Sequence, residues 1–157
     1  MTPEETIRAY YDALRNGESL ASFFVESPTV VKYGIGERLV GYVDIANGLE
    51  AQTARTRDWV VESDNLHVVT RETHAAFSDE VRLEWYDTDD YEEHSYDTRW
   101  SGTLTRTKQG TERSTDEGSG TDSDPGDATD TDTATATEDE WKFLGLHVSV
   151  PGPTAEE

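Results

Sequence analysis

The stretch EWKFLGLHVSVP, Glu140 to Pro151, decides how this chain is read. From Trp141 to Val150 its residues alternate with a period of two, the pattern of a strand. Strict alternation puts Trp141, Phe143, Gly145, His147 and Ser149 on one face. Lys142, Leu144, Leu146 and Val148 then share the other. Both faces carry apolar residues, so the strand needs cover on both sides.

The apolar strand before it runs from Tyr96 to Arg106, with Tyr96, Trp100 and Leu104 recurring every four residues. Between the two lies Lys108 to Glu140. Its centre, Gly110 to Asp139, holds ten acidic residues, one Arg and no large apolar side chain. Such a segment cannot bury enough surface to offset its ordering entropy, so residues 110–139 are expected to be a disordered acidic insertion. Loop closure grows only logarithmically with length, so a hairpin tolerates it. Further upstream, Thr73 to Phe77 and Val81 to Tyr86 read as one long strand broken at Ser78-Asp79-Glu80, or as two short ones. Trp59 to Val69 reads as a single strand with a bulge near Asp64-Asn65. Asp87 to Glu93 is an acidic hairpin tip.

The N-terminal third is helical. Thr2 caps the first helix, Pro3 takes its first position, and Glu5 completes a capping box. Ile7, Tyr10, Tyr11 and Leu14 form an apolar stripe that stops at Asn16-Gly17. Adjacent helical positions diverge by about 100°, so only one of Tyr10 and Tyr11 is expected to face inward. A short helix is expected over Glu18 to Phe24, a strand over Thr29 to Tyr33, and a third helix over Tyr42 to Thr56. Helices followed by a strand meander predict the α+β class, with helices packed in a strongly curved antiparallel sheet.

Composition bounds the partners. The chain carries 34 acidic and 13 basic residues, a net charge of −21 over 157 residues. That charge repels phosphate backbones and anionic membranes, so no nucleic-acid and no membrane partner is expected. Self-repulsion on this scale is screened in concentrated salt, where the Debye length falls to ~3 Å at 1 M. With three Lys and no Cys, the composition points to a protein adapted to a salt-rich cell. No run of 18 apolar residues occurs, and the N-terminus lacks a signal-peptide core, so the expected location is cytoplasmic. No phosphate-binding Gly-rich motif is present.

Three segments resemble the SnoaL-like families of the nuclear-transport-factor-like superfamily. They are PEETIRAYYDALRNGE with LASFF (Pro3 to Phe24), TVVKYGIGERLVGYVDIANGLEA (Thr29 to Ala51), and the closing pair TRWSGTLTRTKQG (Thr98 to Gly110) and EWKFLGLHVSVP. Trp141, His147 and Ser149 stand where the family's last strand carries Trp, His and Ser. The resemblance covers nearly all of residues 3–109 and 140–151; residues 1–109 and 140–151 are expected to form one domain, with 152–157 a flexible tail. It implies a cone of curved sheet around helices, an apolar cavity at the mouth, and a homodimer through the sheet. The family includes cyclases, isomerases, dehydratases and non-enzymatic subunits, so fold does not settle function.

Within that frame His147 and Asp97 are the candidate catalytic groups. A His can act as general base near neutral pH, and a carboxylate in an apolar cavity has its pKa raised toward a useful range. Each has a plainer reading as a satisfied core or surface residue. Tyr11, Tyr33, Trp59, Trp85, Trp100 and Phe143 are the candidate walls of a ligand pocket, or equally core and interface packing. No cofactor is expected. His67 and His74 fit no known zinc spacing, so no metal is expected. The expected function is non-catalytic small-molecule binding that the sequence does not narrow to one ligand, with a small apolar or carbonyl compound as the candidate partner. The alternatives are a proton-transfer enzyme of isomerase, cyclase or dehydratase type, and a dimeric structural module whose cavity is filled by rings.

Overall fold

The computed structural model describes residues 1–108 and 139–151. The expected acidic insertion and the expected C-terminal tail lie outside the described residues, except that Asp139 already opens the last strand.

The chain begins with α1 (Pro3–Asn16). The Thr2 hydroxyl accepts from the Glu5 N–H at 3.1 Å, and Glu5 returns the contact to the Thr2 N–H at 2.8 Å. Gly17 ends the helix at φ 68°, a left-handed turn that glycine adopts without strain. A 3₁₀ turn, Ala21–Phe23, stands where a short helix was expected. Phe24 is already extended, bridges Phe143, and lets Val25 donate to the Phe143 carbonyl, so the sheet claims this segment before a helix can form.

Strands β1 (Val31–Gly34) and β2 (Glu37–Val40) form a hairpin, followed by α2 (Tyr42–Arg55). Then come β3 (Thr56–Ser63), β4 (His67–Thr70), β5 (His74–Asp87), β6 (Glu92–Lys108) and β7 (Asp139–Ser149). The sheet order is β2-β1-β7-β6-β5-β3, with β4 sharing β5's edge with β3. All pairs are antiparallel except β1 with β7, which run parallel, so the sheet is mixed. This α+β arrangement is a cone: the curved sheet packs around α1.

Four departures from the sequence reading have physical causes. Tyr10 and Tyr11 are both buried, at 2% and 1% exposure, because the curved sheet covers two sides of α1. Tyr10 packs edge-on against Phe23, Phe24, Trp100 and Phe143, while Tyr11 meets the other side of Trp100. Strand β5 is unbroken through Ser78-Asp79-Glu80, because Asp79 points inward to waiting donors while its neighbours face out. Trp59 to Val69 is two strands, parted where Asp79 draws in Ser63 and the Asn65 N–H. Finally, β7 carries a bulge. Thr103 pairs with Gly145 and Leu104 with Phe143, which leaves Leu144 unopposed. Beyond it the alternation flips, so Leu146 and Val148 point inward and His147 points out.

Candidate functional site

The mouth of the cone holds a cavity of about 120 Å³. Trp59 from β3, Trp85 from β5 and Trp100 from β6 wall it, with Leu14, Leu83 and Val148 between them. Trp59 and Trp85 stack at 4.7 Å with planes 20° apart. The Trp59 N–H donates to the Thr56 hydroxyl and the Trp100 N–H to the Thr98 hydroxyl, both at 2.9 Å. Two of the three indole N–H donors are therefore spoken for, and those rings offer the cavity apolar surface.

The polar groups come from α1 and the β1–β2 hairpin. Lys32 occupies an inward position of β1 between half-buried Val31 and exposed Tyr33, and its side chain is 7% exposed. Its ammonium is bonded to the Glu37 carboxylate at 2.5 Å. Gly34 makes that reach possible, since a Cβ there would lie 2.6 Å from a Glu37 carboxylate oxygen. Tyr10 also lines the cavity, and among the described residues its hydroxyl has no hydrogen-bond partner. Burial raises the Tyr10 pKa far above a free tyrosine's, and the charge of Glu37 adds to the rise, so the hydroxyl stays a neutral donor. Arg55 stands at the rim and donates to Asp87 at 3.3 Å. Backbone N–H donation from Asp89 chiefly holds the Asp87 pKa below its usual range; burial opposes this, and Arg55 adds to the lowering.

Trp59, Trp85 and Trp100 are brought together here; the other proposed wall residues are not. Tyr11 turns away and donates to Asp79 at 2.8 Å. Phe143 is wholly buried against Tyr10, Phe24 and Phe77. Tyr33 lies on the outer face, 41% exposed, with its ring 5.5 Å from that of His147. His147 lies outside the cavity because of the Leu144 bulge. Asp97 is exposed on the outer face and pairs with Arg82 at 2.9 Å. The site residues that the sequence reading passed over are Tyr10, Lys32, Glu37 and Arg55. One signal was available: a lone Lys at an inward-facing parity in the apolar strand TVVKY.

At the acidic hairpin, Asp87, Asp90 and His94 each bring one ligand atom within 4.8 Å of the others. Asp87 is bound to Arg55, and Asp90 lies 3.0 Å from His94 Nε2, so the cluster's charges already have partners.

The family model of the SnoaL-like domain matches residues 4–111, well over half of the chain. The chain belongs to the SnoaL-like domain family. Solved structures agree on the fold of this SnoaL-like domain. A candidate dehydratase of the NTF2-like family from Streptomyces avermitilis matches at TM-score 0.66 and 14% identity, covering 95% of this chain and 93% of that one. An NTF2-like superfamily protein from Salmonella enterica matches at TM-score 0.66 and 13% identity, over 94% of this chain and 87% of its own. A ketosteroid isomerase-like protein from Erwinia carotovora matches at 0.63 and 14%, over 96% and 94%. No curated protein matches the sequence. At these identities the likeness speaks for the fold alone. Among the described residues, no helix of this SnoaL-like domain is long and apolar enough to cross a membrane.

Proposed function

We propose that this SnoaL-like domain binds a compact, single-ring or short branched molecule in the cavity at the cone mouth. The observation that carries the reading is the preformed slot between three indoles. Drug-sized ligands occupy pockets of roughly 300–1,000 Å³, whereas an apolar cavity of about 150 Å³ is known to hold benzene. At about 120 Å³ the cavity suits the second class. The test is a thermal-shift screen of single-ring compounds in molar salt, backed by indole fluorescence. A ligand at a hundredfold excess over its Kd adds about 2.7 kcal/mol of stability. A panel that neither stabilises the protein nor perturbs its tryptophans would leave the structural-module reading.

A second reading is favoured by Glu37, the half-exposed carboxylate that lines the same cavity. Glu37 would take a proton beside a substrate carbonyl while the Tyr10 hydroxyl holds the developing enolate oxygen. Deuterium uptake at the carbon next to a bound ketone, lost in Glu37→Gln, is the check. We further propose a cytoplasmic location in a salt-rich cell and a homodimer through the outer face, where Tyr33 and Leu144 are exposed. Light scattering in molar salt that returns a monomer removes the dimer.

A further inference from the structure

The indole walls of the cavity are apolar, but polar side chains line as much of it, and they are unbalanced toward donors. The Tyr10 hydroxyl is 98% buried by residue and bonded to nothing among the described residues. The Lys32 ammonium has three N–H donors, of which one goes to Glu37. The other two have no partner among the described residues, and the side chain is 7% exposed. Two of the cavity's acceptors already have partners, while among the described residues the Gln52 side chain and the second Glu37 oxygen have none. The Thr56 hydroxyl donates to the Gln52 carbonyl at 2.6 Å and accepts from Trp59, and the Glu37 carboxylate is held by Lys32. Leaving buried donors unmet costs free energy that folding alone does not recover.

Resting on the binding reading above, we infer that the ligand presents an oxygen acceptor, a carbonyl or a carboxylate, to Tyr10 and Lys32 while its apolar body lies between the indoles. The phenol supplies a neutral donor and the ammonium a charged one, and together they satisfy the two lone pairs of one oxygen. Glu37 keeps Lys32 paired in the absence of ligand. Its carboxylate is 39% exposed, so it moves toward water at little cost when an incoming carboxylate takes its place. A neutral carbonyl instead binds beside the intact pair. A ligand whose polar end carries only donors, such as an amine, leaves Tyr10 and Lys32 unmet.

The experiment titrates the native domain in molar potassium chloride with toluene, acetophenone, benzoate and benzylamine, by calorimetry and tryptophan fluorescence. Acetophenone or benzoate is expected to bind at least tenfold more tightly than toluene, and benzylamine no better than toluene. Tyr10→Phe and Lys32→Met, each confirmed folded by circular dichroism, should erase that tenfold gap while leaving toluene unchanged. Glu37→Gln separates the two sources of oxygen: a gain for benzoate alone marks a carboxylate that displaces Glu37, and no gain marks a neutral carbonyl. Equal affinity for toluene and the oxygen-bearing probes, or a gap that survives Tyr10→Phe, overturns the inference and leaves the binding reading standing. Binding of none of the four removes both.

Discussion

Tyr10 and Tyr11 are neighbours in sequence, both buried, and end in opposite circumstances. The Tyr11 hydroxyl donates to Asp79, which also takes the Ser63 hydroxyl at 2.6 Å and the Asn65 N–H at 3.0 Å. That buried carboxylate ties α1, β3 and the β3–β4 connection to β5, and every donor facing it is used. Across the helix Tyr10 lines a cavity, and its hydroxyl has no partner among the described residues. Saturated buried polar groups hold a fold together; a buried donor left open costs stability.

This contrast can be broken from either side. The largest effect is expected for Asp79→Ala, which strands three donors and should lower the stability measured by urea unfolding by about 3 kcal/mol. Tyr11→Phe removes one charge-assisted bond and should cost about 1.5 kcal/mol, with no change in ligand affinity. Tyr10→Phe should act in the opposite sense, raising the stability of the unliganded protein by about 0.5–1 kcal/mol, because it deletes a buried hydroxyl with no partner among the described residues. A loss of stability in Tyr10→Phe as large as in Tyr11→Phe would erase the distinction between the two ends of the cone. The smallest effect concerns the rim. The pKa of Asp87 is lowered in the folded state, so its contribution is present above the ordinary unfolded value near ~3.9 and fades as pH falls below it. Asp87→Asn should therefore flatten the acid limb of stability below about pH 4, read as a smaller drop in urea midpoint between pH 5 and pH 3 than in the native protein.

The fold was legible in local chemistry. The Thr2–Glu5 capping box, the Gly17 stop and the long two-faced strands at Trp100 and Trp141 each carry their structure in a few neighbouring residues. The helix at Glu18 to Phe24 was not, because Phe24 is drawn into the sheet by Phe143, far away in the chain. Of the candidate site, only the indole walls are conspicuous in the sequence. Trp59, Trp85 and Trp100 are large rings on strands and are conspicuous in any reading. Asp97 resembles a site carboxylate by composition, yet its parity on β6 sets it opposite Arg82 on the outer face. Asp79 sits at a position that looked like a break in a strand.

Residue order alone determined the helix ends, the period-two strands and the aromatic content that a cone needs, since capping, alternation and ring burial act over a few residues. Which faces point inward was decided in three dimensions. One unopposed residue, Leu144, turns His147 outward, and the curl of the sheet buries both tyrosines of α1. Tyr10, Lys32 and Glu37 meet at one cavity because β1 lies beside β7 while α1 packs across their inner face, and spacing along the chain does not encode that meeting.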